Sequence, residues 1–222
     1  MNIRFKDQKK LNTKTSNYKM PKWMDCSWKR IPCGRETCKI CGPISERRAK
    51  HLRHGENPDS PETVMQDIGQ VMSQTLQLAK KNAKKLGVEI GKTKKFPRGS
   101  EPEDFPLVMQ LNDWRDAVFS LVRQSYAMER GWVDSEAVAD LTWYANILCS
   151  KSFRQNLNRI DLNKNDCLAI PDYEYTQSVL KTCLRILKRA TSLVYVFDRE
   201  HKDCWETLQN ELLGLEKQIL SI

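Results

Sequence analysis

The sequence predicts an all-α protein, an antiparallel helical bundle preceded by a small N-terminal four-cysteine metal or cluster loop. Apolar residues recur every three to four positions along most of the chain after Ser60, which is helical spacing, and no useful run alternates with a period of two. Half of the eight cysteines fall within 16 residues: Cys26, Cys33, Cys38 and Cys41. The chain therefore predicts a helical scaffold that carries one chemically distinctive segment.

The predicted organisation has five parts. A polar, basic arm covers residues 1–22 and a four-cysteine module covers residues 23–58. A connecting amphipathic helix follows over 60–90, then a linker over 91–104, and a four-helix bundle occupies 105–222. Proline, glycine and charged residues crowd the linker, which makes it the plausible domain boundary.

Local signals place the helix ends. Ser45 predicts a cap for one or two turns after the cysteine loop, and Ser60 followed by Pro61 predicts the start of the connecting helix. Asp134 or Ser135 predicts the cap of a helix in the bundle. The polar stretch 156–166 predicts a turn. The last helix shows an apolar seam at alternating steps of three and four, formed by Trp205, Leu208, Leu212, Leu215 and Ile219.

Positive charge is concentrated at the N-terminal end. Residues 1–54 carry 15 Lys/Arg against four Asp/Glu, whereas residues 99–222 carry 14 against 19, within a net charge of +9. A basic segment of this kind is attracted to polyanions, and aromatic side chains within it can stack on bases. The candidate nucleic-acid-binding residues are Lys22, Trp23, Trp28, Lys29, Arg30, Arg35, Lys39, Arg47, Arg48, Lys50 and Arg53.

The cysteine spacing C-x6-C-x4-C-x2-C predicts a thiolate site. Four thiolates hold either one tetrahedral Zn²⁺ or a 4Fe–4S cluster, whose larger cube suits wider and unequal spacings. Only Cys38-Lys39-Ile40-Cys41-Gly42 forms a tight knuckle, so the wide gap between Cys26 and Cys33 favours the cluster, with Zn²⁺ a close second. For zinc, His51 and His54 are available as reserve ligands.

The stretch from Cys26 to Gly34, CSWKRIPCG, resembles the start of the cluster loop in the endonuclease III and MutY-type DNA glycosylases. Those loops open with C-x6-C, often with proline near the second cysteine, and hold a 4Fe–4S cluster in a basic, DNA-facing position. This chain departs in the second half, with C-x4-C-x2-C where the glycosylase order is C-x2-C-x5-C. It also shows neither a helix-hairpin-helix glycine motif nor the context of a catalytic aspartate, so the resemblance implies a cluster and no glycosylase activity.

Three functions follow as hypotheses. The first is a metal-cluster-binding, basic accessory protein that associates non-specifically with the backbone of RNA or DNA. The second is an iron–sulfur protein for electron transfer or redox sensing that docks a partner enzyme. The third is a zinc-containing structural bundle that oligomerises through the seam of its last helix, Trp205 to Ile219.

Several classes are disfavoured. The sequence contains no phosphate-binding glycine loop, no H-E-x-x-H and no G-x-S-x-G, and three histidines leave few general bases, so we assign no catalytic residue. No apolar run approaches the ~20 residues of a membrane helix. The N-terminus lacks the apolar region of a secretory signal, so we expect a cytoplasmic location with reduced thiols. Cys149 and Cys183 lie on apolar helix faces and are expected to pack in the core.

Overall fold

The computed structural model describes residues 21–85, 100–164 and 169–222. The predicted basic arm up to residue 20, the end of the connecting helix, most of the linker and Cys167 lie outside these residues. The described chain is helical and contains no strand, which confirms the all-α prediction. It divides into two compact units, one within Lys22–Ser100 and one containing Glu101–Ile222. Within the described ranges, no helix has the length and apolarity to cross a membrane.

Six α-helices and three short 3₁₀ segments make up the described structure. The 3₁₀ segments are Lys22–Ser27, Pro102–Asp104 and Gly131–Asp134. The α-helices are α1 (Cys41–Arg53), α2 (Pro61–Lys85), α3 (Pro106–Ala127), α4 (Glu136–Asn163), α5 (Ala169–Phe197) and α6 (Lys202–Ile219).

Two of the predicted helix starts are confirmed by their capping bonds. The Ser60 hydroxyl accepts a hydrogen bond from the Thr63 backbone N–H at 3.2 Å, directly before Pro61 opens α2. The Ser135 hydroxyl accepts from the Val138 backbone N–H at 3.4 Å at the start of α4. Each hydroxyl satisfies a backbone donor that the first helical turn leaves free.

The C-terminal unit is a four-helix bundle in which α3 contacts α4, α4 contacts α5, α5 contacts α6, and α6 returns to α3. The indole N–H of Trp114 on α3 donates to the Leu208 carbonyl of α6 at 2.9 Å. Cys149 and Cys183 are buried as predicted, and burial raises the pKa of their thiols to about 11 and about 12. The whole seam of α6 is buried as well: Trp205, Leu208, Leu212, Leu215 and Ile219. The surface suggested for self-association by sequence therefore belongs to the core of the chain's own bundle.

The polar stretch from residue 156 is not the predicted turn, because α4 continues to Asn163. The stretch is polar, yet Asn158 within it is fully buried in the bundle. Ser152 and Gln155, earlier on the same helix, are fully buried as well. Polar side chains on a buried helix face are uncommon, so polarity in a sequence usually indicates exposure.

Candidate metal centre

The four cysteines of the N-terminal unit come together from consecutive pieces of local structure. Cys26 lies on the 3₁₀ segment Lys22–Ser27, Cys33 in the loop that follows, Cys38 in a turn, and Cys41 is the first residue of α1. Their four sulfur atoms all lie within 4.8 Å of one another, and Cys33 Sγ is 3.6 Å from Cys41 Sγ. Four soft, ionisable donors around one point could hold a metal ion.

Backbone hydrogen bonds shape the knuckle between Cys38 and Gly42. The Cys38 N–H donates to the Arg35 carbonyl at 3.0 Å, and the Gly42 N–H donates to the Cys38 carbonyl at 2.9 Å. The backbone of Gly42 passes so close to Glu36 that a Cβ atom at this position would overlap the Glu36 carbonyl oxygen. A glycine after the last cysteine is therefore required by the path of the loop.

The same turn explains why α1 begins earlier than predicted. The sequence predicted a cap at Ser45, but α1 starts at Cys41, and Ser45 lies exposed in its second turn. The loop feeds directly into the helix, so the last two cysteines are presented from the turn and from the first helical residue. The four-cysteine loop and α1 thus form one continuous structure.

Replacing Gly42 with alanine tests this close approach. We expect Gly42→Ala to destabilise the module by about 2–3 kcal/mol, because a methyl group must displace backbone rather than a flexible side chain. Gly34→Ala is the matched comparison: Gly34 has φ +66° but nothing within 4 Å, so only backbone strain of about 1 kcal/mol applies. Gly69→Ala, in open space on α2, should stabilise by about 0.5–1 kcal/mol. Chelator competition and denaturant unfolding measure all three, and equal costs at positions 42 and 34 would contradict the overlap with Glu36.

The thiols differ in their electrostatic environment. Backbone N–H groups of Cys41 and then Ile40 point at Cys38 and lower the pKa of its thiol to about 6. The Cys33 N–H lowers the pKa of Cys26, but the Cys33 thiol, burial and the remaining cysteines together raise it to about 12. Burial raises the pKa of the Cys41 thiol, with the Gly34 N–H opposing. These backbone contacts favour the thiolate of Cys38, and the thiolate is the form of cysteine that binds metal.

One side of the four-cysteine site is covered by protein. Cys38 and Cys41 are buried, Cys26 is half-buried and Cys33 is exposed. Trp28 is 4% exposed, so its ring lies in the interior of the module and a nucleic-acid base could not stack on it in this conformation. Trp23 is half-buried, and Lys39 Nζ lies 5.5 Å from its ring centroid. Of the two tryptophans, only Trp23 has part of its surface accessible to a nucleic-acid base.

The two histidines suggested as reserve ligands lie outside the group of four cysteines. His51 is buried and both of its ring nitrogens are engaged, Nδ1 with Glu56 at 2.5 Å and Nε2 with Asp67 at 3.1 Å. Hydrogen bonds to Glu56 and then to Asp67 raise the pKa of His51, despite burial. His54 is exposed at the end of α1. His51 therefore connects α1 with α2 instead of binding metal.

Several of the predicted nucleic-acid-binding cations are paired with carboxylates. The Arg48 guanidinium forms a fork with both carboxylate oxygens of Asp59, and Arg47 lies 3.6 Å from Asp67. Lys29 pairs with Asp25 at 3.2 Å and lies 5.5 Å from the Trp28 ring centroid. Arg30 is half-buried, whereas the side chains of Lys22, Arg35, Lys39, Lys50 and Arg53 are exposed.

A polar groove of about 370 Å³ lies between α1 and α2. The α1 side contributes Lys50 and Arg53 beside Arg47, together with Glu46. The α2 side contributes Asp67, which pairs with Arg47, and three amides: Gln66, Gln70 and Gln74. The glutamines were not among the predicted site residues. The three glutamines recur every four residues along α2, on the side opposite its apolar stripe. This spacing could have shown from the sequence that they share one face of the helix.

Comparison of this chain with known proteins provides no relative from which the role of the site could be inferred. No protein-family model, no curated protein and no solved structure matches this chain. The fold and the site define the class: a helical-bundle protein with a four-cysteine group near its N-terminus that could bind a metal.

Proposed function

We propose that the four cysteines hold a single Zn²⁺ ion, and that the module built around it binds the phosphate backbone of nucleic acid. The observation that carries the proposal is the polar groove between α1 and α2, which holds two exposed cations of α1, Lys50 and Arg53, and three amide side chains of α2. A 4Fe–4S cluster is the alternative occupant of the site.

Sulfur separation supports zinc over the cluster that the spacing alone favoured. Thiolates bound to one ion at about 2.3 Å in a tetrahedron lie ~3.8 Å from each other. Here Cys33 and Cys41 are 3.6 Å apart, and no pair among the four cysteines exceeds 4.8 Å. In a 4Fe–4S cluster each thiolate points outward from a different iron, which requires a wider set of ligands.

Metal analysis of the purified chain tests the occupant. We expect about one zinc per chain and a colourless protein after anaerobic purification. About four irons per chain, with a broad absorption band in the visible region, would contradict the zinc proposal and support the cluster. That outcome leaves the proposal for the groove intact, because phosphate binding does not require zinc in particular.

Charge and geometry support a phosphate ligand. The described residues 22–85 contain 13 Lys/Arg and seven Asp/Glu, and the chain from residue 99 onward carries an excess of acids. In the groove, Lys50 and Arg53 offer cationic donors, and the amide N–H groups of the three glutamines can donate to phosphate oxygens. None of these contacts reads a base edge, so we expect binding with little sequence preference.

Binding to labelled, mixed-sequence duplex RNA, duplex DNA and single strands at 50 and 200 mM salt tests the proposal. Lys50→Gln/Arg53→Gln removes two groove cations, and we expect it to weaken binding and reduce the slope of log affinity against log salt by about 2. The matched control is Lys181→Gln/Arg185→Gln, which removes an exposed lysine and arginine from α5. The control should bind like the unmodified chain.

Two results would overturn the groove as a phosphate site. One is the absence of binding, or binding without salt dependence, at 50 mM salt. The other is an equal loss of affinity in the α5 control. That result would mean that the net charge of the chain, and not the groove, determines the affinity. Metal content must be measured on each variant, so that a lost metal is not mistaken for a lost contact.

The redox alternative depends on the metal. Zn²⁺ has no redox chemistry, so an electron-transfer role requires the cluster and a reversible redox couple. With either occupant the four thiols must stay reduced, in keeping with the cytoplasmic location predicted from the sequence.

A further inference from the structure

In α2 the polar face lies against another helix and the apolar face is exposed, which is the reverse of the usual arrangement in an amphipathic helix. Its polar face borders the groove with α1, through Gln66, Asp67, Gln70 and Gln74. Its apolar side chains are exposed to between 37% and 68%. We call this set the α2 apolar face: Val64, Met65, Ile68, Val71, Met72 and Leu76.

An amphipathic helix normally buries its apolar stripe. The α2 apolar face forms one continuous stripe over 13 residues, in the helix with the strongest apolar–polar segregation among those described. Contiguous apolar surface of this kind on a protein commonly marks an interaction site. The α6 seam offers no comparable surface, because it is buried in the bundle.

The charges of α2 indicate its partner. Glu62 lies near its start, and Lys80, Lys81, Lys84 and Lys85 lie at its end. In a parallel pair of α2 helices the lysine clusters would face each other and repel. In an antiparallel pair, the lysine cluster of each helix meets Glu62 at the start of the other helix. The helix is thus complementary to an inverted copy of itself.

The register agrees with this pairing. If two copies pair about Val71 and Met72, Glu62 of one copy lies at the level of Lys80 and Lys81 of the other. Glu62 and Lys80 are 18 residues apart, which is about five turns of 3.6 residues, so both lie along the same edge of the helix. In an antiparallel pair with twofold symmetry, like edges meet. Opposite charges therefore flank the apolar stripe at both ends.

We propose that the α2 apolar face is a self-association surface, on which α2 of a second copy of this chain docks antiparallel. The proposal uses the face opposite the groove and does not depend on the proposed zinc or nucleic-acid function.

The mass of the full chain in solution tests the proposal by light scattering or sedimentation between 1 and 100 µM. We expect a species of twice the 25.9 kDa chain mass. Ile68→Glu/Met72→Glu should weaken the dimer roughly 100-fold or more, because it buries charge in the apolar stripe. Leu213→Glu is the matched control on α6, since Leu213 is 48% exposed and Ile68 is 47% exposed. It should leave the mass unchanged.

A charge exchange tests the orientation. Glu62→Lys alone should weaken the dimer about threefold, since it removes two symmetry-related flanking pairs. Lys80→Glu/Lys81→Glu in the same chain as Glu62→Lys should restore the affinity, which only an antiparallel pairing predicts. Metal content and helical circular dichroism check that each variant remains folded.

Three outcomes would overturn the proposal. The unmodified chain could be a monomer at 100 µM, which would assign the α2 apolar face to another part of the chain or to a different partner. A dimer could persist unchanged in Ile68→Glu/Met72→Glu, which would place the interface elsewhere. A dimer that the charge exchange fails to restore would exclude the antiparallel arrangement.

Discussion

Replacing Cys38 with serine will abolish stoichiometric metal binding and unfold the N-terminal module, while the four-helix bundle stays folded. Among residues 21–85, the buried side chains are Trp28, Cys38, Cys41, His51 and Thr63. Two of these five are cysteines of the candidate metal site, so the module has almost no apolar core of its own. Small modules of this kind obtain their folding free energy from the metal.

The size of the effect follows from the binding energy. Structural Zn²⁺ sites in small peptides contribute about 10–16 kcal/mol at neutral pH, so one ligand of four accounts for about 3 kcal/mol, or roughly 100-fold in affinity. Cys38 should show at least this loss, because backbone N–H groups stabilise its thiolate at a pKa of about 6, and a serine hydroxyl does not ionise there.

Three measurements on the same preparation check the prediction. Metal content should fall from about one ion per chain to near zero after dialysis against a mild chelator. Limited proteolysis should cut within residues 22–85 and leave the bundle intact. Cys204→Ser is the matched control, because Cys204 is exposed on α6 and lies outside the group of four. A Cys38→Ser protein with unchanged metal content and protease resistance would contradict the assignment.

Replacing Trp205 with alanine should destabilise the bundle by about 3–5 kcal/mol or more. Trp205 is fully buried, and its ring packs edge-to-face against Trp132 with the centroids 6.3 Å apart. Its indole N–H donates to the Asp198 carboxylate at 2.8 Å, and Asp198 is itself 3% exposed. Alanine therefore leaves a large cavity and removes a hydrogen bond from a buried carboxylate, and both effects reduce the free energy of unfolding.

Trp205→Phe separates the two contributions. It keeps an aromatic ring but removes the N–H donor, so we expect a smaller loss of about 1–3 kcal/mol. Trp143→Ala is the control for removing an indole at the surface, because Trp143 is 43% exposed, and it should cost less than about 1 kcal/mol. Urea unfolding followed by helical circular dichroism measures all three. Equal effects at positions 205 and 143 would contradict the central place of Trp205 in the core.

Features that depend on near neighbours were predictable from the sequence. The helices were indicated by apolar spacing, and the starts of α2 and α4 by Ser60 and Ser135, since a cap acts on backbone groups two or three residues away. The cysteine group was predictable for a similar reason: four thiols within 16 residues have little chain to close between them.

Predictions that depended on packing were less successful. Trp28 was assigned to a nucleic-acid surface, yet it is 4% exposed inside the module. The stretch after Gln155 was predicted to be a turn because it is polar, although its backbone remains helical to Asn163 and Asn158 is fully buried. In both cases the residue type suggested exposure to solvent, whereas packing against other parts of the protein buried the side chain.

The sequence by itself determined which residues carry the chemistry: four cysteines in one short loop, a basic N-terminal half and a series of amphipathic helices. Only the tertiary structure decided how these residues are used. It brought the sulfurs within 4.8 Å of one another, it buried the seam of α6, and it left the α2 apolar face exposed. The physical reason is that helical periodicity shows that a face is apolar, whereas the choice of what covers that face depends on contacts between residues far apart in the chain.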